Sequence, residues 1–119
     1  MEPAQGNTLS KAERLSSKKD ISRLIGNGRW GVCDCVKYCY LSPNGLDFNR
    51  IMVSVPKKHF KRAVKRNLLK RRLREAYRTQ KSLLRQGAGV DIMFQYDSTE
   101  LMPFPCIQEA VAKILQSVK

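Results

Sequence analysis

The chain has 119 residues, 42% of them hydrophobic, which is enough for one domain with a single core and too apolar for wholesale disorder. Lys and Arg number 23 against 10 Asp and Glu, a net charge of +13, and no apolar run approaches the roughly 18 residues of a membrane-spanning helix. Thirteen of those cations fall between Lys57 and Arg85, where Glu75 is the only acid, so that window carries +12 and the rest of the chain +1. Charge of this density repels itself, and a polyanion relieves the repulsion by releasing condensed counterions, so nucleic acid is the partner class the composition favours.

In chain order, residues 1–8 are polar, include Glu2 and lack an apolar signal core. They predict a short flexible tail, a single domain over 9–119 and a cytoplasmic location. Ser17 with Asp20 three residues on reads as an N-cap and an acid at N3, a variant of the capping box, and Ile21, Leu24 and Ile25 supply a helical stripe that Gly26-Asn27-Gly28 ends. Trp30 to Leu41 reads as extended, and Ser42-Pro43-Asn44-Gly45 as a turn. Ile51, Val53 and Val55 alternate with Met52 and Ser54 in a strand that stops at Pro56. Beyond the basic stretch, Gly87-Ala88-Gly89 introduces a further alternating strand, Val90, Ile92, Phe94 and Tyr96. Ile107, Ala110, Val111, Ile114, Leu115 and Val118 then mark a closing amphipathic helix after Pro103 and Pro105. The predicted fold is an α/β (α+β) two-layer sandwich in the order α-β-β-(β)-α-β-α.

The basic stretch is itself periodic. At about 100° per residue, Leu69, Leu73, Ala76, Tyr77, Leu83 and Leu84 share one arc of roughly 120°, a core-facing stripe. Asn67, Lys70, Arg71, Arg74, Arg78, Lys81 and Arg85 gather in a second arc, with Glu75 expected to pair with Arg71 at i, i+4. A solvated helix face ordinarily mixes signs, and this one does not. Guanidinium forks bridge phosphate oxygens and stack on bases, and Asn67 adds a neutral donor and acceptor for a base edge or a 2′-hydroxyl. No helix-turn-helix partner, zinc finger or zipper accompanies the helix.

Cys33, Cys35 and Cys39 share one parity, so on a continuous strand they would project from one face. Zinc sites want two spaced pairs, and Cys106 is remote, so reduced thiols packing as small apolar fillers are expected, and no metal site. The acids are scattered with no converging carboxylates, and His59 lacks an evident orienting partner, which argues against catalysis by the polypeptide.

The run Arg66-Asn67-Leu68-Leu69-Lys70-Arg71-Arg72-Leu73-Arg74-Glu75 resembles the R-N-x-x-K-R-x-x-R-E signature of the bacterial ribonuclease P protein component. As in that family, Ser54-Val55-Pro56-Lys57-Lys58 and Ala63-Val64 precede it, and Arg14-Leu15 followed by Asp20-Ile21 is similar to the family's R-L-x(4)-D-F opening. The resemblance runs from about Leu9 to the last helix. It implies the protein subunit of a ribonucleoprotein that removes the 5′ leader of precursor tRNA, probing two partners, a catalytic ribonuclease P RNA and the precursor tRNA, with no membrane. It also implies Mg²⁺ bound mainly by the RNA, a monomeric protein in a 1:1 complex with that RNA, and no catalytic side chain. Carried over by position, Arg66, Asn67, Lys70, Arg71 and Arg74 face RNA, with Arg78, Lys57 and Lys58 extending the set, while Ile21, Ile25, Lys37 and Cys39 occupy the leader cleft. The implied fold is ribosomal protein S5 domain 2-like, with a left-handed strand–helix–strand crossover against the usual hand. The chain departs from the pattern at Leu68, often Arg, at His59-Phe60-Lys61-Arg62 in place of a glycine, and at Ile21 and Ile25, commonly aromatic. The alternative is a ribosomal or other structural RNA-binding protein, for which the same basic helix would serve.

Overall fold

Alternating hydrophobicity becomes one mixed sheet in the computed structural model, which describes residues 13–84 and 89–118. The tail predicted over 1–8, Arg85, Gly87 and Ala88 lie outside the described residues. Helix α1 (Lys18–Asn27) is followed by β1 (Arg29–Cys33), β2 (Val36–Leu41), β3 (Arg50–Ser54), α2 (Ala63–Gln80), a 3₁₀ turn at Lys81–Leu83, β4 (Asp91–Tyr96) and α3 (Phe104–Ser117). The strands lie in the order β1-β2-β4-β3. β1–β2 and β2–β4 pair antiparallel; β3 and β4 are parallel and joined through α2.

The stretch expected as one extended run is a hairpin. Asp34 and Cys35 separate β1 from β2, with Cys33 facing Val36 across the turn and Asp34 at φ 53°. Aspartate tolerates that left-handed conformation better than most residues, so the chain turns without a glycine. The turn also breaks the shared parity expected of the cysteines: Cys33 and Cys35 join the main core, while Cys39 lies on the opposite sheet face.

Strand alternation sorts the two faces. Val36, Ile51, Ile92, Phe94 and Tyr96 point to the face covered by α2 and α3, where Leu69, Leu73, Ala76, Tyr77, Ile107, Val111 and Leu115 complete the main core. These two layers hold most of the buried side chains. On the other face α1 covers a smaller cluster of Leu15, Leu24, Cys39 and Met93, with Ile21, Leu41 and Met52 against it. Of the stripe expected on α1, Leu24 is fully buried, Ile21 is half-buried and Ile25 is exposed. Ser17 caps α1 as expected, its Oγ accepting from the Asp20 amide at 3.5 Å.

α2 ends five residues before the predicted arc does. At Gln80 the backbone tightens into the 3₁₀ turn, which rotates Leu83 out to 38% exposure while Leu84 returns to the core. Continuing the 3.6-residue period would have buried both.

Candidate nucleic-acid interface

Leu, Arg, Lys and Ala are good helix formers, and they make up 12 of the 18 residues of α2. Leu69, Leu73, Ala76 and Tyr77 are all fully buried, so the orientation of the helix is fixed by packing rather than by its charges. Its N-terminal turn contains no acid, while Arg62, Lys65 and Arg66 crowd the end where the helix macrodipole is already positive. An isolated helix would be destabilised by that arrangement; an anion bound there would stabilise it.

The cations of this stretch fall into two sets. In one, the side chain is bonded within the protein. Arg66 donates to the carbonyls of Phe60 and Lys61 at 2.8 and 2.7 Å, Arg72 to Met102 at 2.6 Å, and Lys81 pairs with Glu13 at 3.0 Å. Glu75 pairs with Arg78 at 2.6 Å, not with Arg71 as the spacing suggested, and this hydrogen bond holds its carboxyl below the usual range. In the other set, Asn67, Lys70, Arg71 and Arg74 make no side-chain hydrogen bond or ion pair with any described residue. On the helical wheel those four side chains share one face, opposite the leucines.

Arg66 has a second effect. By holding the Phe60 and Lys61 carbonyls it fastens the loop 56–62 to the first turns of α2. Phe60, 7% exposed and 5.8 Å from the Tyr96 ring, plugs that loop into the core where the family pattern has a glycine. Lys57 and Lys58 are thereby presented, exposed, beside the helix.

The remaining predicted residues sit on the other sheet face. Ile21 and Ile25 lie on α1, and Lys37 projects from β2 with its Nζ 5.2 Å from the centre of the Trp30 ring. Cys39 offers no surface to a ligand: it is fully buried, and its Sγ donates to the Leu24 carbonyl at 3.4 Å. Burial also raises its thiol pKa. Beyond the row that α1 covers, register places Val32, Lys37, Gln95 and Ser54 side by side across the sheet, all wholly or partly open to solvent. This open row, next to the one that α1 covers, is the surface available for an extended strand.

Two further features shape this face. Trp30, 46% exposed, is held by its Nε1 donating to the Ile25 carbonyl at 3.4 Å as well as by Lys37. Arg50 anchors α1 to the sheet through Asp20 and Asp91, at 3.0 and 2.8 Å. Sequence reasoning missed the second, which nothing local signals.

Among the described residues, no three His, Cys, Asp or Glu side chains converge as a metal donor set. The described cysteines are all free thiols.

Comparison with known proteins bears on family and fold. Residues 9–119 match the family model described as Ribonuclease P. The ribonuclease P protein component of Porphyromonas gingivalis is 38% identical over 114 residues, covering 90% of this chain and 83% of that protein. That of Petrotoga mobilis is 40% identical over 90 residues, covering 76% and 73%. The solved RNase P protein of Staphylococcus aureus is similar at a TM-score of 0.75 and 26% identity, over 89% of this chain and 94% of that one. The Thermotoga maritima RNase P protein shares the fold at a TM-score of 0.77 and 24% identity, over 90% and 98%.

Proposed function

Since the chain belongs to the ribonuclease P protein family, we propose that it binds the catalytic RNA of ribonuclease P and the 5′ leader of precursor tRNA. Membership makes it a component of a tRNA-processing ribonucleoprotein endonuclease. The observation that carries the finer reading is the face of α2 on which Asn67, Lys70, Arg71 and Arg74 stand without a partner among the described residues while their neighbours are paired. That face, extended by Lys57, Lys58, Arg66 and Arg78, binds the catalytic RNA. The open row beside α1, with Ile21, Ile25 and Lys37, takes the leader, while Cys39, buried under α1, lies in the neighbouring row. One protein serves one RNA, in the cytoplasm.

In this reading hydrolysis and the Mg²⁺ that serves it belong to the RNA. The polypeptide positions the leader, and its cations screen the repulsion between two RNAs that must approach closely. Each guanidinium acts on a phosphate as a bidentate donor, so it fixes orientation as well as neutralising charge.

Reconstitution tests the proposal. Purified protein freed of RNA should leave precursor tRNA intact. Adding it to a bacterial ribonuclease P RNA should restore correct 5′ cleavage at Mg²⁺ concentrations where that RNA alone is inactive. Correct cleavage by RNA-free protein, or no effect of the protein on the RNA's Mg²⁺ requirement, would sink it.

A further inference from the structure

Charge left without a partner does not stop at α2. The segment ahead of α1 runs beside β3, where Arg14 forms a parallel bridge with Ile51 and the Leu15 amide donates to the Ile51 carbonyl at 2.7 Å. Both neighbours of Arg14 are tethered. Glu13 pairs with Lys81 at 3.0 Å, and Leu15, 5% exposed, is buried in the small core under α1. Extended chain alternates its side chains, so a buried Leu15 turns Arg14 outward. There Arg14 and Arg74 line one recess of about 230 Å³, together with Ser16 and the β3 residues Ile51, Met52 and Val53.

Two guanidinium groups beside one recess repel each other, and a carboxylate between them would be the ordinary remedy. The nearest in sequence, Glu13, is committed to Lys81, and neither arginine has a hydrogen-bond or ion-pair partner among the described residues. Backbone pairing holds one arginine and a fully packed helix the other, so little ordering is left for a ligand to impose. A tetrahedral oxyanion meets the two planar forks with several acceptor oxygens. We propose that Arg14 and Arg74 jointly hold one phosphate group, a phosphodiester of a bound RNA strand, at the outer edge of β3. The site would lead RNA from the face of α2 around the sheet edge toward the side that α1 covers. Its assignment to RNA rests on the RNA-subunit reading; the anion site itself does not.

Two measurements on the full chain decide it. In the first, inorganic phosphate is titrated into ¹⁵N-labelled protein while the arginine Nε–H resonances are followed. Those of Arg14 and Arg74 should shift together, and Arg14→Gln should abolish the response of Arg74. Phosphate that moves neither, or that moves Arg74 equally in the Arg14→Gln chain, overturns the shared site. In the second, affinity for a bacterial ribonuclease P RNA is compared for Arg14→Gln, Arg74→Gln and the double variant, with thermal melts to confirm folding. Each single change should weaken binding several-fold, and the double variant should lose less than the product of the two, because both grip one group. Losses that multiply overturn the shared phosphate. A phosphate response without any loss of RNA affinity gives the site to free phosphate and overturns the RNA assignment. A wild-type chain that binds no such RNA would sink the subunit reading instead, leaving the first measurement to judge the anion site.

Discussion

Arg50 Nε and Nη2 donate to the two oxygens of Asp91 at 2.9 and 2.8 Å, and Nη1 reaches Asp20 on α1 at 3.0 Å. Asp91 also accepts from Asn44 Nδ2 at 2.8 Å, and both of these residues are 2% exposed. Asn44 in turn organises the loop before β3, donating to the Phe48 carbonyl at 3.1 Å and accepting from the Leu46 amide at 2.8 Å. A buried carboxylate with this many donors leaves them stranded when it is removed. Asp91→Ala should therefore destabilise the fold by about 3–5 kcal/mol, toward the lower end because Asp20 still holds the guanidinium. Urea unfolding would show it as a lower midpoint at unchanged m. The cysteines give a second test at this scale. Burial raises the thiol pKa of Cys35 and Cys39, so the reactive thiolate is scarce as well as shielded. In folded protein at pH 8 both should resist iodoacetamide over a time that alkylates them fully in urea, as read by peptide mass spectrometry. Rapid labelling of Cys39 in the folded chain would mean that α1 does not cover it.

Within α2, stability and binding reside on different faces. Arg71→Ala should weaken RNA binding and leave stability within about 0.5 kcal/mol, because the side chain is exposed and has no partner among the described residues. Leu73→Ala should cost about 2–5 kcal/mol, since Leu73 is fully buried, with RNA affinity unchanged while the protein stays folded. Arg72→Ala separates a structural cation from a binding one: losing its bond to Met102 should cost about 1 kcal/mol of stability and little affinity. Leu68→Arg, at a half-buried position off the leucine stripe, should hold or tighten binding. Melts and titrations on the same variants check all four. Much of this helix was legible because Leu69, Leu73, Ala76 and Tyr77 repeat at the helical period, and charge alone marked the opposite face. Its end was not legible, because Leu83 and Leu84 continue the pattern and no glycine stands between Gln80 and Gly87. Nor was the turn at Asp34-Cys35, which lacks Gly, Pro and Asn and joins two runs equally suited to strands. The cations spent internally escaped for a different reason. Their partners are Phe60, Met102 and Glu13, brought in by the loop 56–62, by the approach to α3 and by the segment before α1, contacts that no periodicity encodes. Glu75 had suitable arginines one turn away on either side, and spacing could not choose between them.

At the scale of the whole molecule, a net charge of +13 is divided into a window of +12 and a remainder of +1, and folding sets much of the first on one side. The packing of α2 against the sheet and α3 compels this, because the leucines take the inside and leave Lys70, Arg71 and Arg74 outside, with Lys57 and Lys58 beside them. Concentrated charge of one sign speeds encounter with a polyanion and makes affinity depend on counterion release. If those five cations each neutralise one phosphate, the log of the binding constant should fall with the log of monovalent salt at a slope of about −3.5 to −4.5 at fixed Mg²⁺. Arg71→Ala should make the slope shallower by about 0.7–0.9, whereas Arg72→Ala, whose guanidinium is bound to Met102, should leave it unchanged. The comparison matters because both substitutions remove the same formal charge from adjacent positions. If net charge alone governed binding, the two slopes would fall equally, and the surface would be a diffuse cationic field. Unequal slopes would place the contact on the face of α2 whose cations have no partner among the described residues.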